Sequence, residues 1–520
     1  MKRLSLLAVL IAPAAFAQVN LYPNASQFWD VTTVNDVPVS VGLNTSQYFF
    51  MTGTDIGTMT LIGGNNVTTG RANISEDGTK ISGNLNSSYT FLDNAVHSAM
   101  ARYDRTTSSW TEFGHLNYHG SSGTKEASNS WGLSGDGNTI AGQGYYQTLP
   151  AGSPSARANA AVATTAGATN MYPTITNNGR IAAINFDGTV AAGWREGTSP
   201  NYFWVKTAGV WSAPQLITAM VAGVPTNLTA IADMDGEGRF MTGNGGTSGK
   251  FWVYDRLNGT AEVVTPPMTG SITVFSISKA ADMVTYRVVP PAGNPFFEGR
   301  TFIWTRETGS VLLNDHLDGF SVDRQTASMN NLWGMSPNGE WHVGYSWIAA
   351  NQATLAKVST NYRGTASLGS YPATLQSSVP TTFELRQMDG TLVSTWTQNL
   401  GPDGRFLKML SPTFASGQYK LWVKASHWLS KTVTVDFADR GAIVIPALVN
   451  GDVDGNNIID VADYSALALA FDAVLDEDVN TAGNQSSPNW LDAADLDASG
   501  VVDIADYTIL ATNFDGVGEN

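Results

Sequence analysis

The stretch from Asp452 to Asp463, D-V-D-G-N-N-I-I-D-V-A-D, has the spacing of a cation-binding loop. Asp452, Asp454 and Asn456 place side-chain oxygens at loop positions 1, 3 and 5, Ile458 a carbonyl at 7, and Asp460 and Asp463 carboxylates at 9 and 12. About six or seven oxygens so spaced suit one hard divalent ion, calcium above all. The pattern returns 43 residues on, where Asp495, Asp497, Ser499, Val501, Asp503 and Asp506 take the same places. Gly500 stands at the turn position 6 of this copy, and Asn457 stands there in the first, a residue that tolerates positive φ. At roughly 4 Å and an effective dielectric near 20, each carboxylate pair repels by about 4 kcal/mol before screening. The loops are therefore expected to hold two Ca²⁺ ions and to open without them.

Each loop runs into a helical pattern. Tyr464, Leu467, Ala468 and Phe471 match Tyr507, Leu510, Ala511 and Phe514, all at i, i+3, i+4 and i+7, so one apolar face is expected on each helix. A duplicated loop-plus-helix without the entering helix of an EF-hand resembles a type I dockerin over residues 450–516. The resemblance implies calcium-dependent docking to a cohesin-like protein. In that family positions 10 and 11 and the following helix meet the partner. Here those positions are Val461 and Ala462, Ile504 and Ala505, without the usual hydroxyl pair. Docking within the chain is the alternative expectation.

The chain of 520 residues carries a net charge of −16, and fifteen of its acidic residues, with no Lys or Arg, fall between Leu448 and Asn520. The rest of the chain is close to neutral, and no basic patch suits nucleic acid. Lys2-Arg3, the apolar run Leu4 to Ala12 and Ala15-Phe16-Ala17 read as a secretory signal peptide over residues 1–17. No stretch is apolar long enough to span a bilayer, so a secreted, extracellular or cell-surface protein is expected. Cysteine is absent, which excludes disulfides and thiol chemistry.

Residues 18–363 repeat one unit. Asn73 to Gly83 (N-I-S-E-D-G-T-K-I-S-G) returns as Gly132 to Gly142, Ala183 to Gly193, Ala232 to Gly243, Phe275 to Tyr286 and Gly334 to Gly344. Gly78, Gly137, Gly188, Gly238, Ala281 and Gly339 are 43 to 59 residues apart. Strand, Asp-Gly or Asn-Gly turn, strand in most copies, then an aromatic strand pair such as Tyr202 to Val205, make a four-stranded sheet per period. The expectation is a mainly β chain led by a six-bladed β-propeller, with seven blades the alternative. Tyr48 to Ile62 reads as a half-unit closing the ring with the last copy. The I-S-x-D-G-x-x-I-x-G turn with its A-x-x-W strand resembles the HAF family of extracellular repeats. Asp77, Asp136 and Asp187 are expected to shape turns.

Residues 364–372 read as a linker. Residues 373–448 hold six or seven short alternating strands, expected as a small β-sandwich that is similar to carboxypeptidase-regulatory-like or fibronectin-like spacers. Residues 449–520 form the dockerin-like calcium-binding domain, a small α domain.

No nucleophile elbow, P-loop or dinucleotide fingerprint occurs. His115 and His119 have i, i+4 spacing but lack the glutamate of a zinc site. Glu76, Glu112, Glu126, Glu237 and Glu298 stand in no recognisable catalytic setting. Trp110, Trp131, Trp194 and Trp333 could stack on sugars but read more readily as packing residues. The expected function is a non-catalytic binding protein with possible extracellular polysaccharide as ligand. The alternative is a polysaccharide-active hydrolase or lyase, the usual cargo of dockerins.

Overall fold

The structure, a computed structural model, describes residues 19–519 apart from 23–26, 45–46, 65–69, 90, 92–95, 117–126, 147–156, 172–178, 196–200, 222–223, 246–248, 292–298, 323–328, 330, 347–351, 374, 402, 438–441 and 476–485. The signal segment read at 1–17 lies outside the described residues. The chain is mainly β and divides into two compact units, Met1–Thr305 with Ser310–Thr360 and Ser411–Thr413, and Arg306–Gly309 with Asn361–Leu410 and Phe414–Asn520.

In the first unit the described residues form seven small sheets, each led by one inner strand: Gln27–Val34, Asn73–Ile74, Ser128–Leu133, Gly179–Ile184, Thr229–Met234, Ser271–Ile277 and Asn331–Met335. Each inner strand packs on the next and the last packs on the first, which closes a propeller-like ring. Tyr48 to Ile62 is not a half-unit. Gln47–Thr52 and Thr60–Gly63 are the outer strands of a complete sheet with Gln27–Val34 and Val37–Asn44. Its first hairpin closes on Asn35-Asp36, both at positive φ, so the repeat turn that marks the other sheets is missing. The seventh sheet is completed by Val19–Tyr22, which pairs antiparallel with Ala353 to Ala356.

The repeat motif has two separate physical jobs. Its turn is a hydrogen-bonded unit. Ser75 Oγ accepts from Lys80 N at 2.9 Å and donates to Asp77 at 2.6 Å, while Asp77 also accepts from Thr79 N. Ser134 and Asp136 repeat this arrangement, and Asn185 and Asp187 match it with an amide in place of the hydroxyl. The glycine needs positive φ, between 67° and 73° in five copies, and Ala281 is forced to 58° in the sixth.

The last glycine of the motif serves a bulge. Six inner strands shift register at Trp29, Trp131, Ala182, Ala232, Phe275 and Trp333. A glycine on the second strand faces most of these bulges. A Cβ there would lie 2.0 Å from the Asn129 carbonyl at Gly142 and 1.9 Å from the Asn331 carbonyl at Gly344.

The second unit packs two sheets over one core containing Phe383, Trp396, Phe406, Leu421 and Trp428. One sheet runs Leu392–Asn399, Pro380–Gln387, Gln418–Ala425, Lys431–Asp436; the other Arg405–Leu410, Thr360–Thr365, Ile443–Val444. The connector read at 364–372 is partly built into it. Gly364 pairs with Ile443, and Ala366 and Leu368 are buried in the core. Helices Val461–Ala470 and Ile504–Thr512 follow in the same unit.

Gly344→Ala is expected to cost about 2 kcal/mol or more, because the new methyl meets backbone that cannot yield. Ala281→Gly should raise stability by about 0.5–1 kcal/mol through relief of positive φ. Chemical denaturation of both variants checks the pair.

Candidate functional site

The two acidic loops fold as near copies. Asp460 caps Val461–Ala470 by accepting from Ala462 N at 2.7 Å, while Asp463 reaches back to Asp460 N at 2.8 Å. Asp503 and Asp506 cap Ile504–Thr512 in the same way. These capping boxes turn Asp463 and Asp506 inward. Ligand oxygens of Asp452, Asp454 and Asp463 lie within 4.8 Å of one another, as do those of Asp495, Asp497 and Asp506. Asp460 and Asp503 stand outside those clusters, as helix caps. Asn456 Oδ1 accepts from Ile458 N at 2.8 Å, and Ser499 Oγ donates to the Val501 carbonyl at 3.0 Å. Asn457 has φ +73° and Gly500 φ +82°, the turn geometry expected at position 6.

The loops are exchanged across a pseudo-twofold axis. Ile459 of the first exchanges backbone hydrogen bonds with Asp515 and Gly516 after the second helix, and Val502 with Asp472 and Ala473 after the first. Between the helices Tyr464 and Tyr507 meet edge to face at 5.1 Å. The expected helix face is only partly inward: Leu467 and Leu510 are buried, but Tyr464, Phe471 and Phe514 are exposed. The inward path runs through Asp463 and Ala470 instead, because each loop carboxylate must point at its own loop.

The first loop is tied to the neighbouring sheet. Lys424 Nζ lies 2.6 Å from Asp452 Oδ2, which also accepts from Asn457 N. Asp452 is fully buried, and its Oδ1 has no partner. Burial raises the Asp452 carboxyl pKa, with Lys424 pulling against it; burial also raises Asp495 and Asp506. Ser430 N donates to Asn457 Oδ1 at 2.8 Å, and the Glu519 carbonyl accepts from Trp422 Nε1 at 2.9 Å. Leu429, from the same sheet region, sits in the core of the loop module beside Ile459 and Leu510.

A second site was not legible in the sequence. At one end of the ring the turns interlock: Glu76 N bonds Gly135 O, Asp136 N bonds Phe186 O, Phe186 N bonds Gly236 O, Gly236 N bonds Lys279 O and Lys279 N bonds Pro337 O. Only a space of about 120 Å³ remains there. The other end opens into a cavity of about 650 Å³, lined by the bulge residues Trp131, Ala182, Ala232, Phe275 and Trp333, and by Arg71, Arg180 and Arg287. Arg180 lies 3.8 Å from the Trp131 ring and 5.0 Å from Trp194; Arg71 lies 4.4 Å from Trp333 and 5.4 Å from Trp131. Of the tryptophans singled out in the sequence, Trp110, bonded to Ile62 O, and Trp333 pack against the same core cluster, while Trp131, Trp194 and Trp333 line the cavity.

Three of the other candidates have structural partners and three fall outside the described residues. Glu76 pairs with Lys279, Glu112 accepts from Ser87 and Ser88, and His115 packs on Tyr89 and Phe91. His119, Glu126 and Glu298 lie outside the described residues. Among the described residues no helix is long and apolar enough to cross a membrane.

No protein-family model matches the chain, and no curated protein matches it. Among solved structures it is similar to an oligogalacturonate lyase in complex with manganese, at 10% identity over 65% of this chain and 90% of that one, TM-score 0.40. It is also similar to a prolyl endopeptidase structure, at 11% identity over 56% of this chain and 50% of that one, TM-score 0.34. Likenesses this distant assign no activity or ligand.

Lys424→Met is expected to leave the Asp452 carboxylate buried and unpaired, costing about 3 kcal/mol without divalent cation. Added calcium should shrink that gap. Calorimetry of both proteins with and without calcium reads the difference.

Proposed function

We propose that this is an exported, non-catalytic binding protein. Its first unit, read as a seven-bladed propeller, displays a ligand site, and its second unit is stapled by two calcium ions in a dockerin-like module. The observation that carries the calcium reading is the pair of three-carboxylate clusters, one with a fully buried oxygen that lacks any partner. Such an oxygen is costly unless a cation faces it. Asp452, Asp454, Asn456, Asp463 and the Ile458 carbonyl would hold one ion. Asp495, Asp497, Ser499, Asp506 and the Val501 carbonyl would hold the other. Asp460 and Asp503, used as caps, would serve through a water as loop position 9 often does. The bound ion would supply the positive charge that lets these carboxylates stay close.

The Lys424, Ser430 and Glu519 contacts favour docking within the chain. The exposed Val461 and Ile504 leave a surface on which an outside, cohesin-like partner could also sit. A calcium-dependent partner recovered with the full chain, and lost on Val461→Asp with Ile504→Asp, would favour the outside reading.

Removal of calcium is expected to lower the melting transition of the second unit while leaving that of the first unchanged. Asp452→Ala with Asp495→Ala should reproduce this loss in saturating calcium. Calorimetry decides, and identical traces with and without calcium would refute the reading.

One observation favours the enzyme alternative. Inside the ring, burial pushes the Asp30 carboxyl up to about 6 and that of Asp233 up to about 7, the latter helped by the charges of Asp30 and Asp235. Raised carboxyls are what acid–base chemistry needs. Yet each already joins adjacent strands: Asp30 accepts from Val31 N and Ile74 N, Asp233 from Met234 N and Ile277 N. Neither lines the arginine cavity. We read them as clamps between sheets. A carboxyl raised on folding holds a proton that the unfolded chain has released, so stability should fall as pH rises from about 4 to about 7. Asp233→Asn should flatten that slope and lower Tm at acid pH, because the amide nitrogen cannot accept the Met234 or Ile277 N–H that one carboxyl oxygen takes. Melts across the range in saturating calcium test this; hydrolysis of a glycan panel that Asp233→Asn abolishes would instead establish the enzyme.

A further inference from the structure

The open end of the ring gathers hydrogen-bond donors that have nothing to donate to. Among the described residues neither Arg71 nor Arg180 has an acidic partner, and Arg180 Nε and Trp131 Nε1 are buried without an acceptor. Asn331 is only 3% exposed; its Oδ1 accepts from Arg287, and its Nδ2 is also without a partner. Burial pushes both guanidinium pKa values down to about 10, with the Arg180 charge adding to the effect on Arg71. Two like charges withdrawn from water cost several kcal/mol, and cation–π contacts return about 0.5–2 kcal/mol each. The fold leaves that deficit open.

We propose that this cavity receives the oxyanion of a small polar ligand, a carboxylate or a phosphate, held by Arg71 and Arg180 with Asn331 Nδ2 and Trp131 Nε1 as neutral donors. The alternating rings Trp333, Arg71, Trp131, Arg180 and Trp194 fix the guanidinium faces. What remains for a ligand is the in-plane N–H edges, the geometry that grips carboxylate and phosphate. The tryptophan faces are occupied by arginine, so they are supports for the cations rather than platforms for sugar rings. The volume of about 650 Å³ falls in the range of small-molecule sites. The interlocked turns narrow the opposite end to a space of about 120 Å³, so the wider mouth is the one a ligand of this size fits.

The proposal rests on the reading of the ring as the ligand-displaying body and needs nothing from the calcium loops. Its test uses the full chain titrated with glucuronate, glucose 6-phosphate and glucose, three compounds sharing a ring and differing in the oxyanion. Tryptophan fluorescence and calorimetry should show saturable binding of at least one acid, weakened by added salt, and none of glucose; the acid that binds identifies the group. Arg180→Ala is expected to weaken binding about tenfold or more. Since Arg180 packs between two rings, Asn331→Asp is the second arm. It keeps the Oδ1 acceptor but places a carboxylate in the cavity, so it should weaken binding by about the same factor with Tm unchanged or raised. Unchanged affinity in Asp452→Ala with Asp495→Ala protein separates this site from the calcium reading. Equal binding of glucose, no binding of either acid, or full affinity in both cavity variants would overturn it.

Discussion

The hydrogen bonds that join turn to turn from the second sheet of the ring to the seventh are the constraint on which the first unit depends. A backbone N–H at Glu76, Asp136, Phe186, Gly236 or Lys279 finds its acceptor on the following sheet, not in its own hairpin. Sheets that would otherwise be independent are thereby held in register at one end of the axis. Side-chain hydrogen bonds inside the turns, such as Ser75 to Asp77 and Ser134 to Asp136, keep those N–H groups pointing outward to the neighbour. With that end locked, the bulges at the other end can deliver large side chains to the axis without the strands slipping. The same eleven-residue motif thus narrows one mouth and furnishes the other.

The second unit solves a different problem. It has no disulfide, and its acidic loops repel themselves. Packing supplies part of the answer: Leu429 enters the loop module's core, and Glu519 bonds back to Ser430, Lys431 and Thr432. Lys424 supplies another part, as a fixed positive charge at the first loop. In the second loop, among the described residues, Asp495 accepts from backbone N–H groups of Ser499 and Gly500. The two loops are alike in sequence and unlike in electrostatic surroundings, so a cation meets a different local field in each.

The sequence was legible where local chemistry repeats. A repeated turn motif marked six of the seven sheets, as Asp-Gly in three of them, and the spacing of Asp452, Asp454 and Asp463 marked three carboxylates that do converge. It was silent where the signal was positional. The first sheet turns on Asn35-Asp36, and a sequence scan for Asp-Gly passes over it. A bulge is one residue of register, so nothing in the text around Trp131 or Trp333 says that these rings leave the sheet face for the axis. Arg71 and Arg180 come together only because their sheets are neighbours but one in a closed ring. Lys424 is an ordinary strand lysine until the loop folds against it. The helix face failed for a related reason: the periodicity of Tyr464, Leu467 and Phe471 is genuine, but the carboxylates fix the rotation of the helix first.

The pairing of Val19–Tyr22 with Ala353–Ala356 carries a consequence for biogenesis. The partners are more than 330 residues apart, as in the Asn20 Nδ2 to Leu355 O contact. A chain emerging vectorially must therefore keep its first strand unpaired until nearly the whole ring has been made. Loop closure over such a separation is slow, and the waiting strand edge is open to pairing with the wrong chain. The seventh sheet acts as a latch on assembly: until it shuts, the other six have an unprotected seam, and quality control during synthesis must guard that seam above all others.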